Sequence, residues 1–324
     1  MKKNLHIISD GTIERHENTI YFVNALEKKP LPIDQINQIS CHGSVSLTSQ
    51  AIHYLMQKNI PIHFFNYYGF YDGTLYPRES LLAGELIIKQ VEHYLDSHKR
   101  LFIAKKIIYG SIQNMLKTID EYKIEGKKEI FSNLTKEIDE KNTITELMNT
   151  EARARIEYYD CFNFILNDEF RYEKRTRNPP KNEINALISF GNALLYTSVI
   201  TELYNTQLNP TISYLHEPFA RRFSLALDIS EIFKPLIVDR LIFYLINKRI
   251  IQKQHFSEQL NGIMLNEQGK KIFLKYYEEK LQTTIKHRKL RRNVSYQRLL
   301  RLECYKLIKH LIGVKEYKPF IIWW

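Results

Sequence analysis

The 324-residue chain is poor in cysteine, with three thiols, Cys41, Cys161 and Cys304, that lie far apart. An odd number of widely separated cysteines argues against a disulfide framework and a thiolate metal site, and favours a reducing compartment. The N-terminal residues lack the apolar core of a secretory signal, and no uncharged apolar run approaches the roughly 20 residues needed to cross a bilayer. We therefore expect a cytoplasmic protein with no membrane partner.

Charge of one sign predominates in the composition. Lys and Arg number 47 against 36 acidic residues, which gives a net charge of +11, and 44% of the residues are hydrophobic. The apolar fraction and the 21 Tyr and 17 Phe residues exclude a disordered or fibrous chain. The basic excess favours a polyanionic partner, although charge alone does not identify nucleic acid.

The periodicity of the sequence changes near residue 80. Short β-branched or aromatic runs predict strands over the first 80 residues, with one helix over residues 46–58. From residue 81 the apolar spacing is helical. We therefore predict an α+β fold, with a small β-rich N-terminal domain (residues 1–80) and a larger all-helical domain (residues 81–324). The main helices of the second domain are expected over residues 81–95, 100–119, 146–166, 185–203, 230–250 and 290–311.

The segment with the most chemical character runs from His216 to Glu231. Pro218 disfavours an α conformation at the preceding residue, so His216 is expected at the end of an element. Asp228 and Glu231 are three residues apart, which places both carboxylates on one helical face. Such a face, with an imidazole nearby, suits Mg²⁺ or Mn²⁺. The competing interpretation is a helix start whose acids complement the helix dipole, and spacing alone favours it.

Glu151 is a second candidate, on a predicted long helix. It could reach across to His216, or it could form an ordinary i,i+4 pair with Arg155 on its own helix. The residues themselves leave both interpretations open.

Residues 280–309 form a basic run, with ten cations against a single acid, Glu303. A solvated helix face normally intersperses both signs of charge, so this run favours contact with phosphates. If residues 290–311 form one helix, then Arg291, Arg292 and Arg298 are expected to point outward and contact DNA. A plain basic surface is the alternative.

Four separated blocks in the expected order resemble the CRISPR-associated family-one endonucleases, the integrase subunits of the spacer-acquisition complex. The similarity extends over essentially the whole chain, and the His-Glu-Pro to Asp-Ile-Ser-Glu block is long and specific. The order of a β domain before an α domain also matches. The four blocks are residues 150–153, 178–196, 216–240 and 296–310.

The resemblance implies a catalytic metal site formed by Glu151, His216 and Glu231, with Mg²⁺ or Mn²⁺ as the cofactor. Some relatives have Asp where this chain has Glu231. Asp228 would then be a supporting acid, which either accepts a hydrogen bond from a ligand or contacts the metal through water. The inclusion of Glu151 comes from the family and not from spacing.

The reaction that the resemblance implies is phosphoryl transfer on double-stranded DNA. A spacer 3′-hydroxyl attacks a phosphodiester of the CRISPR repeat, and hydrolysis appears as nuclease activity. In the family the protein forms homodimers through its β domains and joins a small second CRISPR-associated subunit.

Two other functions stay open from the sequence. One is a stand-alone metal-dependent nuclease, such as a junction-resolving enzyme, that needs no partner. The other is a non-catalytic DNA-binding scaffold in which the acids are structural. A requirement for divalent metal separates the scaffold from the enzymes, and stimulation of joining by the small subunit separates the integrase from the lone nuclease.

Overall fold

A computed structural model of the chain describes residues 2–79, 81–167, 169–177, 179–218, 223–259 and 262–324. Two four-stranded sheets form its N-terminal part. One has the order β1-β5-β7-β8, with only β8 antiparallel, and the other has the order β4-β3-β2-β6. The strands are β1 (Lys3–Ile7), β2 (Gly11–His16), β3 (Thr19–Val23), β4 (Lys28–Leu31), β5 (Ile36–Cys41), β6 (Val45–Leu47), β7 (Ile62–Phe65) and β8 (Tyr71–Leu75).

One helix, α1 (Ser49–Gln57), lies between β6 and β7 in the chain, inside the predicted range of residues 46–58. Its Ala51 and Leu55 are buried in a core of their own with strand residues such as Ile13 and Ile39. The alternation of buried and less buried positions along β3 gives the period of two on which the strand prediction rested.

The remaining residues are mainly helical and share a second, larger core. Helix starts follow their capping residues: Thr143, for example, accepts a hydrogen bond from the Glu146 N–H at the start of α5. The helices are α2 (Gly84–Leu95), α3 (Ser97–Glu121), α4 (Lys127–Glu140), α5 (Ile144–Asp160), α6 (Phe162–Ile165), α7 (Glu183–Tyr204), α8 (Ser224–Lys234), α9 (Arg240–Asn247), α10 (Glu267–Gln282) and α11 (Tyr296–Leu311).

The α+β class is confirmed, but the second part is not all-helical as expected. It contains two antiparallel hairpins, β9 (Phe256–Gln259) with β10 (Gly262–Leu265), and β11 (Thr284–Lys286) with β12 (Asn293–Ser295). The boundary between residues 80 and 81 stays a prediction, and Ser80 lies outside the described residues.

The expected helix over residues 290–311 is wrong in its first turn and a half. The backbone there is a hairpin, because the β-branched Ile285 and Val294 pair across β11 and β12 and Arg291 adopts a left-handed φ of 53°. Ser295 then caps α11, its hydroxyl accepting a hydrogen bond from the Arg298 N–H.

Helix α7 is long and apolar enough to cross a membrane, but 78% of its apolar stretch is buried inside the protein. It packs against α8, α11 and β10 in the large core. The helix is therefore the central core element of the helical part, and its apolar character follows from burial on all sides.

A π-helical turn, Pro235–Asp239, joins α8 to α9 in place of the regular helix expected over residues 230–250. Pro235 has no N–H to donate to the preceding turn, and the Arg240 N–H bonds to the Pro235 carbonyl five residues back. The Asn114 amide of α3 donates to the Ile232 carbonyl (2.8 Å) and also to the carbonyl of Phe320. One side chain thus ties α3, α8 and the C-terminal segment together.

Gly191 of α7 allows close approach of the π-helical turn. A Cβ at this position would lie 2.5 Å from Val238 Cγ1 and 3.2 Å from Phe273 Cζ. We predict that Gly191→Ala lowers the free energy of unfolding by about 1–3 kcal/mol, since overpacking outweighs the better helix propensity of alanine. The matched control is Gly84→Ala on α2, where a Cβ meets open space. Urea unfolding measures both, and an unchanged stability of the Gly191 variant would contradict the packing described here.

Candidate functional site

The carboxylate of Asp228, on α8, is fully buried and accepts four hydrogen bonds from one short segment. The backbone N–H groups of Tyr214, Leu215 and His216 donate to it over 2.7–3.0 Å. The His216 imidazole donates through Nδ1 over 2.7 Å. A buried charge is tolerated only when such donors surround it, so Asp228 fixes both the loop and the ring that the loop carries.

His216 lies in this loop before α8, at the end of an element as the sequence predicted. Its side chain is 24% exposed, and its Nε2 has no hydrogen-bond partner in the described part of the chain. Burial lowers the pKa of His216, but the hydrogen bond and charge of Asp228 and the charge of Glu231 outweigh it, and the pKa is raised. A ring held at Nδ1 by a carboxylate, with Nε2 free, is the arrangement typical of metal-binding histidines.

Glu151 and Glu231 approach each other across α5 and α8 through one guanidinium. Arg155 Nη2 lies 3.1 Å from Glu151 Oε1 and 2.6 Å from Glu231 Oε2. The two carboxylate oxygens are therefore no more than about 6 Å apart. Glu151 forms the i,i+4 pair with Arg155, and the same guanidinium contacts Glu231, whereas the approach of Glu151 to His216 stays a prediction.

Lys234 is the second cation at this position, and its ammonium bonds to Glu231 Oε1. Burial alone would raise the pKa of Glu231, but the charges of Lys234, Arg155 and His216 hold that pKa well below its ordinary value. The carboxylate is therefore ionised across the physiological pH range, as a metal ligand must be.

The donor set of Glu151, His216 and Glu231 fits a divalent cation in type. Two carboxylates and a neutral imidazole are ligands that Mg²⁺ and Mn²⁺ accept. Among the described residues, no three acidic, histidine or cysteine side chains are already gathered as a metal cage. The reason is local, since Arg155 and Lys234 hold the carboxylate oxygens that such a cage would use.

Sequence reasoning named Arg155 only as the helical partner of Glu151, and it did not name Lys234. The pairing of Lys234 with Glu231 has a signal, the i,i+3 spacing on one helix. The contact between Arg155 and Glu231 has none, because the residues are 76 positions apart. Asp239, at the end of the π-helical turn, lies within the sequence block of residues 216–240, but the sequence pattern assigned it no function.

The predicted DNA-binding arginines lie on the hairpin of β11 and β12 and on the helix that follows it. Arg291 and Arg292 are exposed in the turn, and Arg298 is half-buried on the first turn of α11, with its guanidinium 5.8 Å from the Tyr305 ring. The turn region, residues 286–292, carries five cations and no acid. In the described part of the chain, neither Arg291 nor Arg292 has an ion-pair partner. The basic tip is therefore open to an external anion.

The C-terminal segment supports this hairpin. Arg288 donates to the Trp323 carbonyl (2.9 Å), and the His287 ring contacts the Trp323 ring edge-on. The His287 Nδ1 also accepts the N–H groups of Lys289 and Leu290 across the turn. These contacts connect the hairpin tip to the C-terminal segment and to its own turn.

The chain is similar to curated proteins over its full length. It is 57% identical over 323 residues to the CRISPR-associated protein Cas1 1 of Methanobrevibacter ruminantium, covering 100% of this chain and 99% of that protein. It is 56% identical over 322 residues to the CRISPR-associated endonuclease Cas1 of Methanocaldococcus jannaschii, covering 99% of both. The prediction that the chain is an enzyme of the nuclease type is confirmed at this level of similarity.

Solved structures give the same fold. The structure of a Cas1 protein of Thermotoga maritima superimposes with a TM-score of 0.92 at 44% sequence identity, and the match covers 98% of this chain and 100% of that protein. A casposase bound to its integration product has a TM-score of 0.87 at 19% identity, covering 98% of this chain and 92% of its own. A Cas6-RT-Cas1–Cas2 complex has a TM-score of 0.84 at 20% identity, covering all of this chain and 36% of that one. The last two similarities show the fold alone.

The model of the protein family described as "CRISPR associated protein Cas1" matches residues 5–279, which is well over half of the sequence. That range contains Glu151, His216, Asp228 and Glu231, whereas the arginines of the basic hairpin lie beyond it. The resemblance seen in the four sequence blocks is thereby confirmed, and the chain belongs to the CRISPR-associated Cas1 family.

Proposed function

We propose that this chain is the integrase of CRISPR spacer acquisition, which joins a spacer 3′-hydroxyl to a phosphodiester of the repeat and hydrolyses DNA in the same site. One observation supports this most strongly: Asp228 holds the ring of His216 near enough to Glu231 for that carboxylate to raise the pKa of the ring, and Arg155 joins Glu231 to Glu151. The fold shared with an integrating casposase is consistent with it. The three proposed metal ligands, Glu151, His216 and Glu231, include no Ser, Cys or Tyr nucleophile, and a DNA hydroxyl is the attacking group that we propose.

Glu151, His216 and Glu231 would hold the divalent cation, Mg²⁺ or Mn²⁺, that the family requires. When bound, such an ion orients the attacking oxygen and stabilises the charge that develops on phosphate in the transition state. Asp228 keeps the ring of His216 in the tautomer with Nε2 free. The carboxylate of Glu231 remains ionised because Lys234 and Arg155 surround it.

Double-stranded DNA is the proposed substrate, with the basic hairpin as one contact. Arg291, Arg292 and Arg298 supply sequence-independent attraction to phosphates. We further propose a cytoplasmic homodimer formed through the β-rich N-terminal domain, with a small second CRISPR-associated subunit, since one structural neighbour is a complex with Cas2. Edge strands such as β4 and β8 leave backbone groups to which a second copy can pair.

The first test concerns His216. We predict that His216→Ala lowers joining and nuclease activity by more than about 100-fold, since even residues that only support a metal ligand typically contribute about 10–100-fold. DNA affinity should change little, because it depends on distributed phosphate contacts. Mn²⁺-dependent joining and a gel shift measure the two effects. His53→Ala, an exposed histidine on α1 that contacts Gln57, is the matched control and should keep full activity. Activity retained in the His216 variant would contradict the site.

The second test ranks Asp228 against Glu231. Asp228→Asn should reduce activity by about 10–100-fold and also lower the melting temperature, because its acceptor role for three backbone N–H groups is weakened. Glu231→Ala should remove activity to a greater extent. Joining rates and thermal melting of both variants are the measurements. An inactive Asp228→Asn beside an active Glu231→Ala would reverse the assignment.

The third test concerns the basic hairpin. If Arg291, Arg292 and Arg298 contact phosphates, replacing all three by Gln should weaken binding to any duplex and reduce the slope of log K against log salt by about one unit for each contact. Lys271→Gln on α10, an exposed lysine paired with Glu267, is the control and should leave the slope unchanged. An unchanged slope with a lowered melting temperature in the triple variant would show that these arginines are structural.

The same assays separate the alternative functions. DNA binding without any joining or cleavage in the presence of Mg²⁺ or Mn²⁺ would favour a non-catalytic DNA-binding scaffold. Metal-dependent cleavage that the small subunit does not convert into joining would favour a stand-alone nuclease. The integrase proposal requires both the metal and the stimulation by the subunit.

A further inference from the structure

Arg155 interacts with two sets of acids, namely Glu151 and Glu231 on one hand and Asp239 on the other. Its side chain is 11% exposed, and Nη2 bridges Glu151 and Glu231, with a longer contact of 3.4 Å to the Ser111 hydroxyl. These contacts lie on the side of the guanidinium that faces the proposed metal site. The arginine therefore takes the place that a shared cation would have between the two carboxylates.

The Nη1 nitrogen of the same guanidinium is buried without a hydrogen-bond partner among the described residues, and the carboxylate of Asp239 is near enough to act on Arg155 through its charge. In the described part of the chain, Arg155 Nη1 and Asp239 Oδ2 are buried without a close hydrogen-bond partner, and the Tyr158 hydroxyl lies beside the Asp239 carboxylate, whose pKa it lowers. Tyr158 follows Arg155 by three residues on α5, so both lie on one helical face, and each interacts with Asp239 at the end of the π-helical turn. Asp239 attracts both Arg155 and, less directly, Lys234.

Buried polar atoms without partners are costly, and an unpaired guanidinium nitrogen together with an unpaired carboxylate oxygen calls for an explanation. Burial raises the pKa of Asp239 to about 7 even though Arg155 and Lys234 act to lower it. The acid is thus incompletely compensated while Arg155 is engaged with Glu151 and Glu231. A guanidinium that moved toward Asp239 would satisfy Nη1 and Oδ2 together.

Charge balance gives the reason for such a movement. Glu151 and Glu231 carry two negative charges, which Arg155 and Lys234 already neutralise. A divalent cation that enters the same cluster brings two more positive charges, and the repulsion is strong in a partly buried site. At least one of the two side chains must then leave the carboxylates, and Arg155 has an acceptor behind it.

We propose that Arg155 is an internal counter-ion that a divalent metal displaces from Glu151 and Glu231, and that Asp239 accepts the displaced guanidinium. This inference rests on the proposed metal site. It assigns roles to two residues outside the ligand set: Arg155 stabilises the metal-free state, and Asp239 is a positioning residue for the metal-loaded one.

The test is Mn²⁺ binding to the purified full-length protein, measured from the electron paramagnetic resonance signal of free Mn²⁺ without DNA. Arg155→Met should bind Mn²⁺ at least about tenfold more tightly, because the competing cation is gone. Asp239→Asn should bind it about tenfold more weakly, because the guanidinium loses its alternative acceptor. In the double variant the Asp239 substitution should have no further effect, since there is no guanidinium to accept.

Two further variants control for the loss of any positive charge on α5 and for a failure of Arg155→Met to fold. Arg153→Gln removes an exposed arginine of the same helix that pairs with Glu137, and its Mn²⁺ affinity should equal that of the wild type. Arg155→Lys keeps the charge but cannot bridge two carboxylates as a planar fork does, so its affinity should fall between the wild type and Arg155→Met. It also serves if Arg155→Met fails to fold.

The outcomes separate this inference from the metal site on which it rests. Mn²⁺ affinity that His216→Ala leaves unchanged would overturn the site itself. Affinity that His216→Ala abolishes, but that Arg155→Met and Arg155→Lys leave at the wild-type value, would overturn only the displacement. Additive effects of the Arg155 and Asp239 substitutions would overturn the role of Asp239 as the acceptor.

Discussion

The buried carboxylate of Asp228 is the constraint on which the geometry of the site depends. Four donors from residues 214–216 converge on it, and each would be left unsatisfied if the loop moved. The helix that carries Asp228 is in turn fixed to α3 by Asn114. The position of His216 is therefore set by the helical core and not by the flexibility of a surface loop.

Electrostatic balance is the second constraint. Glu151 and Glu231 come from helices separated by more than 60 residues, and two ionised carboxylates this close repel unless cations lie between them. Arg155 and Lys234 supply that charge within the protein. The same pair of acids can therefore be stable in a folded chain without metal and still offer two carboxylates to the proposed metal ion.

The fold class and most of the helices could be predicted from periodicity, because a long stretch of apolar residues at helical spacing is compatible with few elements other than a helix. The start of α11 was misjudged, since a basic stretch with few apolar residues has no clear period and Arg291 takes a left-handed conformation. Spacing alone also found the face of Asp228 and Glu231. It could not find the contact between Arg155 and Glu231, which exists only after α5 and α8 pack, and the role of Glu151 came from family resemblance.

Anomalous diffraction from crystals of the protein soaked in Mn²⁺ tests the central claim most directly. The account predicts an anomalous peak within coordination distance of the carboxylates of Glu151 and Glu231 and of the Nε2 atom of His216. Asp228 should remain on Nδ1 of His216. A fully occupied Mn²⁺ peak elsewhere in the protein, with Arg155 still bridging Glu151 and Glu231, would contradict it.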